Sequence, residues 1–129
     1  VLHLFSQIIQ FTWLNKIVLY LALLFSCIAA FSPLTGLEQV NVSDKVLHLV
    51  AFFVLSLLVQ IAYPRLGLRA ILFCLACFGL GIELVQAYLP HRSFELNDWF
   101  VDLLGTVIHL ILIAPTIKSK CLSGKYAPC

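Results

Sequence analysis

The chain has 129 residues, a mass of 14.4 kDa and a formal net charge of +2. Hydrophobic residues make up 62% and charged residues 11%, against roughly 45–50% and 25% in soluble domains; so short a chain cannot hide that much apolar surface in a core of its own. These values exclude an ordinary water-soluble globule, a disordered chain and a nucleic-acid-binding domain, and they leave an integral membrane protein with room for one domain over residues 1–129.

The chain opens with Val1 and contains no methionine, which fits either a missing start or a valine codon read literally. Within Val1–Gln10, Leu4, Phe5 and Ile8 trace an amphipathic interfacial turn that continues to Phe11. Four long apolar segments follow: Ile17 to Phe31 (extending back to Trp13), Val46 to Tyr63, Leu68 to Leu89, and Trp99 to Ile117. Each approaches the roughly 20 residues needed to cross about 30 Å of hydrocarbon as a helix. Barrel strands would alternate over about ten residues, and these runs are too long and too uniform for that. The predicted fold is all-α, a membrane bundle of four transmembrane helices. A lipoprotein signal ending at Leu24-Phe25-Ser26-Cys27 competes for the first segment, but Phe25 is large for a cleavage site that favours small residues.

The links are short, which makes successive helices antiparallel neighbours. Tyr63-Pro64-Arg65-Leu66-Gly67 breaks the second helix from the third, and Pro90 stops the third. The longest link, Ser32 to Ser43, holds Pro33 and Gly36. One side of this topology carries Lys16, Arg65, Arg69, Lys118, Lys120 and Lys125, and the other carries Lys45 and Arg92. The positive-inside rule then places both termini in the cytoplasm and the first and third loops outside. Trp13 and Tyr63 would mark the inner interface, and Tyr88 and Trp99 the outer one. The tail from Lys118 to Cys129 reads as a flexible cytoplasmic end. Cys74 and Cys77 share a helix face, but no further ligands accompany them, so they read as packing residues, and no metal or cofactor is expected.

All the acidic residues, Glu38, Asp44, Glu83, Glu95, Asp98 and Asp102, fall toward the outer side. Acidic residues contribute little to orientation, so their placement points to a polar site. Asp44 and His48 are four apart at the start of the second span, Glu83 and Gln86 three apart near the end of the third, and Asp98 and Asp102 four apart at the start of the fourth. Such spacings put each pair on one helix face; Gly105 and His109 continue the last one. Asp44 and Asp98 sit where a helix dipole favours negative charge by roughly 0.3–1 kcal/mol, and Asp98 or Asn97 could cap the fourth helix. Glu83 lies about 9 Å below its helix end by rise per residue. It must carry a proton or pair with Arg92, Lys45 or His48. Gln86 reads as an interhelical hydrogen bonder. Arg92 offers a planar fork for Glu83, Asp98 or a headgroup phosphate, and His109 reads as a satisfied buried histidine or a proton relay.

The stretches DKVLHLVAFFVLSLL and GIELVQAYLPHRSFELNDWFVDLLG closely resemble the VanZ-like membrane proteins. The shared pattern is an Asp-Lys and a His opening one span, a Glu-x-x-Gln closing the next, then an Arg and an Asp before the last span. Asp44, Lys45, His48, Glu83, Gln86, Arg92, Asp98 and Gly105 match it, over roughly residues 43–112. His91 stands where relatives usually have Gly, and Asp102 where they usually have Asn. The resemblance implies a multi-pass protein of the bacterial cytoplasmic membrane and, through the founding member, a link to resistance against the glycopeptide teicoplanin.

Two functions follow as expectations. The first is a non-catalytic membrane protein whose outward-facing site, formed by Asp44, Lys45, His48, Glu83, Gln86, Arg92, Asp98 and Asp102, binds a membrane lipid, a lipid-linked cell-wall precursor or a glycopeptide. The second is a small membrane enzyme acting on a lipid-linked substrate, with Glu83 or His48 as general base, Asp98 orienting it and Arg92 stabilising charge. No nucleophile motif or phosphate loop supports the second. A carrier would require an oligomer, since four short helices leave little room for a path.

Overall fold

The structure, a computed structural model, describes residues 12–33 and 44–122. The amphipathic turn expected in Val1–Gln10, Glu38 in the first link, and Lys125 and Cys129 in the tail lie outside the described residues. Among the described residues every regular element is helical. Helix α1 spans Thr12–Phe31, α2 Asp44–Ala62, α3 Leu68–Gln86, α4 Leu96–Leu112 and α5 Ala114–Leu122.

The first three helices are long and apolar enough to cross a membrane. The fourth expected span is corrected. In place of one helix from Trp99 to Ile117, α4 stops at Leu112, Ile113 forms a turn, and α5 begins at Ala114. The cause is Pro115, which has no N–H to donate and whose ring collides with the carbonyl four residues back; it is tolerated in the first turn of a new helix. With 17 residues, α4 is about 26 Å long. The tail is corrected in part as well, because residues 118–122 are helical. The third helix ends at Gln86 instead of Leu89: the backbone N–H groups of Tyr88 and Leu89 fold onto the carbonyls of Val85 and Gln86 in tight turns, as the chain prepares for Pro90, whose predecessor avoids the helical region.

Helices α1 to α4 alternate in direction, so α2 and α4 run parallel. Gln86 Nε2 donates to the Ala30 carbonyl at 2.9 Å at one end of the bundle. The Tyr20 and Tyr63 hydroxyls meet at 2.6 Å toward the other, where Lys16 Nζ stands 5.0 Å from the Tyr63 ring centre. Leu19, Phe52, Leu55, Ile71, Leu75 and Ile82 form the apolar core. The outer surface of the bundle is also apolar: Phe25 is 72% exposed, Phe73 70% and Leu112 69%. Such a belt suits lipid and not water. Cys74 and Cys77 lie on that exposed surface of α3 and not in the core, which corrects their expected packing role.

The most extensive pairing is between α2 and α4. A polar seam follows it down the bundle: Lys45 with Asp98, His48 with Asp102, Ser56 with His109, and Gln60 with the Ala114 carbonyl. Between the second and third of these pairs, Gly105 lies against the α2 backbone, where an added Cβ would collide with the Leu49 carbonyl oxygen. This close approach brings the polar residues of the two helices within reach of one another.

Candidate functional site

The starts of α2 and α4 and the end of α3 meet at one end of the bundle. The first turn of α2 supplies Asp44 and Lys45, with His48 one turn deeper. The last turn of α3 supplies Glu83 and Gln86. Helix α4 supplies Asp98 and Asp102, and the loop between α3 and α4 supplies Arg92 and Glu95.

These residues form two layers. In the upper layer, Lys45 Nζ donates to Asp98 Oδ1 at 2.7 Å and to Glu95 Oε2 at 3.3 Å. Arg92 Nη1 donates to Asp44 Oδ2 at 3.3 Å, while Arg92 Nε is buried without a hydrogen-bond partner. A cavity of about 420 Å³ opens here, lined by Asp44, Gln86, Arg92, Ser93, Glu95 and Asp98 together with Pro90 and His91. His91 reaches the other way, its Nε2 lying 3.1 Å from the Phe31 carbonyl of α1. The departure from glycine at this position thus serves to tie the loop to α1.

In the lower layer, Glu83 is 0% and Asp102 1% exposed. His48 Nδ1 and Asp102 Oδ1 share a hydrogen bond of 2.9 Å. Glu83 Oε2 accepts from the Glu95 backbone N–H at 3.1 Å. Glu83 Oε1 and Asp102 Oδ2 have no hydrogen-bond partner among the described residues. One ring nitrogen of His48 and one carboxylate oxygen each of Glu83 and Asp102 lie within 4.8 Å of one another, and Asp44, His48 and Asp98 form a second such triad above them. Gly79, four residues before Glu83 on the same face of α3, leaves room for the Asp102 carboxylate; a Cβ there would sit 2.9 Å from Asp102 Oδ2.

Every residue expected to form the site is gathered here, but several pairings differ from those expected. Glu83 pairs with a backbone amide, not with Arg92, Lys45 or His48. Arg92 holds Asp44 instead of Glu83 or Asp98. Asp98 does not cap α4, which begins two residues earlier at Leu96, and neither does Asn97; Asp98 pairs with Lys45 instead. The partner of His48 is Asp102, not Asp98. Trp99, expected as an interfacial anchor, also ties helices together, because its indole N–H donates to the Ala76 carbonyl at 2.9 Å. Sequence reasoning counted Glu95 among the outer acidic residues but missed it as the partner of Glu83, and it missed Gly79. The backbone amide of Glu95 leaves no mark in sequence; for Gly79 the signal was its spacing of four from Glu83.

His109 stands apart from this end. It is 0% exposed, its Nδ1 lies 2.7 Å from Ser56 Oγ, and its ring meets Phe53 edge to face at 5.8 Å. With Ser56 and Gln60 it forms the deep part of the seam; its Nε2 and Gln60 Oε1 have no hydrogen-bond partner among the described residues, so the histidine expected to be satisfied is bonded through one ring nitrogen alone.

Comparison with known proteins gives two results. The family model described as VanZ/LLP1 matches residues 2–118. A protein of Schizosaccharomyces pombe (strain 972 / ATCC 24843), named "Uncharacterized protein C11E3.10", is 34% identical over 103 residues, which cover 77% of this chain and 64% of that protein. The chain therefore spans a little under two thirds of that relative's length. No solved structure gives a significant match. The relative is fungal, so a bacterial source does not follow from this likeness.

Proposed function

The chain belongs to the VanZ/LLP1 family, and from that premise and the site geometry we propose that it is an integral membrane protein whose polar end binds the phosphate-bearing headgroup of a membrane lipid. The observation that carries the reading is Arg92. Its side chain is only 12% exposed and lines a polar cavity, it spends one Nη on Asp44, and its enclosed Nε has no hydrogen-bond partner among the described residues. An arginine fork with an unspent donor suits a phosphate oxygen. Lys45, its side chain 48% exposed, supplies a second cation at the rim.

In this reading α4 with α5 forms a fourth span, both termini are cytoplasmic and the cavity faces away from the cytoplasm. The basic residues support that orientation: Lys16, Arg65, Arg69 and Lys118 belong to the end opposite the cavity, and Lys45 and Arg92 to the cavity end. A lipid-linked cell-wall precursor and a role in teicoplanin-type resistance are the narrower form of the proposal, supported by family resemblance alone.

Native mass spectrometry of the full chain extracted in mild detergent tests the proposal. A co-purified phospholipid is expected, and Arg92→Ala should lose it while Arg92→Lys weakens it, because lysine lacks the fork. Equal lipid retention by all three proteins would remove Arg92 from the site.

One observation favours a second reading, a membrane enzyme acting on a lipid-linked substrate. The His48–Asp102 hydrogen bond of 2.9 Å is an imidazole oriented by a carboxylate, an arrangement suited to a general base. Product formation from a phospholipid or prenyl-phosphate substrate, lost in His48→Ala with the protein still inserted, would select this reading over simple binding.

A further inference from the structure

The lower layer holds more carboxylate oxygens than its protein partners account for among the described residues. Glu83 and Asp102 are both fully enclosed, and each keeps one oxygen without a partner. The nearby cations are engaged elsewhere: Lys45 with Asp98 and Glu95, Arg92 with Asp44. Among the described residues, His48 is left as the only basic side chain hydrogen-bonded in this layer, and only to Asp102. Buried carboxylates need a counter-charge, a metal or a proton. One nitrogen and two oxygens, all within 4.8 Å of one another, stand close to the ligand separations that coordination bonds of roughly 2.0–2.2 Å impose.

We propose that His48, Glu83 and Asp102 form a binding site for a divalent transition-metal ion of the zinc or manganese class. The imidazole argues for this class over calcium, which takes roughly six to eight oxygen ligands. The ion would take a neutral imidazole and two ionised carboxylates, so any proton held by a carboxyl group or by an imidazolium would leave to solvent on binding, while a neutral ring keeps its proton on the nitrogen not bound to the ion. Gly79 belongs to the site as the residue that keeps α3 clear of the Asp102 carboxylate. The upper triad shares His48 and adds Asp44 and Asp98, which line the open cavity beside Arg92. The site does not depend on the headgroup reading, because no lipid contact enters it.

The test is Mn2+ titration of the full chain in detergent after chelator treatment, read by loss of the free-ion electron paramagnetic resonance signal, with Zn2+ as competitor. Mn2+ is chosen because the exposed thiols of Cys74 and Cys77 favour softer ions. The wild-type protein should bind one ion per chain, with affinity falling as the pH is lowered, and Zn2+ should displace it. Glu83→Gln and Asp102→Asn should each weaken binding by more than the roughly 10–100-fold typical of outer partners of a metal site. Gly79→Ala, which keeps all three ligands, should weaken it to a lesser degree by displacing Asp102, and His109→Gln, in the deep part of the seam, should leave it unchanged. Absence of stoichiometric binding by wild-type protein overturns the proposal, whatever the variants do. Binding that persists at full strength in Glu83→Gln and Asp102→Asn overturns it too, by placing the ion elsewhere.

Discussion

The seam between α2 and α4 carries two polar clusters that solve burial in opposite ways. Deep in the bundle, Ser56 meets His109 and Gln60 meets a backbone carbonyl with no carboxylate among them, although Gln60 Oε1 and His109 Nε2 have no partner among the described residues. At the other end, Asp44, Glu83, Glu95, Asp98 and Asp102 outnumber Lys45, Arg92 and His48, and two fully buried carboxylates keep an oxygen unspent. Neutral hydrogen bonds between helices contribute modestly and fix their register. Burying carboxylates opposes stability, and their retention supports the binding role proposed for the second cluster over one of holding helices together.

The contrast can be broken or sharpened by substitutions of graded effect. Gly105→Val should be the most damaging, because a side chain there meets the α2 backbone; a loss at the upper end of the roughly 1–3 kcal/mol of overpacking is expected, read as thermal unfolding in detergent. Unchanged stability would mean the two backbones do not approach closely. Ser56→Ala comes next, leaving His109 enclosed with neither ring nitrogen partnered, at a loss of about 1–3 kcal/mol. Glu83→Gln should differ in kind: measured with chelator present, stability should hold or rise, because a neutral amide can still accept from the Glu95 N–H. A loss as large as that of Ser56→Ala would make Glu83 structural glue as well. The smallest effect belongs to Arg92→Ala, whose pair with the 39% exposed Asp44 side chain should be worth about 0–1 kcal/mol, so that any larger consequence for lipid retention separates binding from stability.

How much of this was legible beforehand depended on the range of the interaction. The first three helices were readable because apolar run length and breakers such as Pro64 and Gly67 are local properties. The broken fourth helix was readable in principle from Pro115, but an unbroken apolar count passed over it. The membership of the site was legible from spacings of three and four within each helix. The pairings were not. That Asp102 and not Asp98 holds His48, and that Glu83 is met by the Glu95 amide, depends on how deep each helix sits against its neighbour.

That depth marks the division between the two sources of information. The sequence by itself determined a helical chain suited to lipid, and placed carboxylates, an imidazole and an arginine toward one end, because composition and periodicity act through the chain's own backbone. Only the tertiary structure decided which carboxylates are left with unspent oxygens, because that rests on the close contact Gly105 allows and the space Gly79 leaves. Both depend on backbones from different helices meeting at ångström separations, for which no local pattern codes.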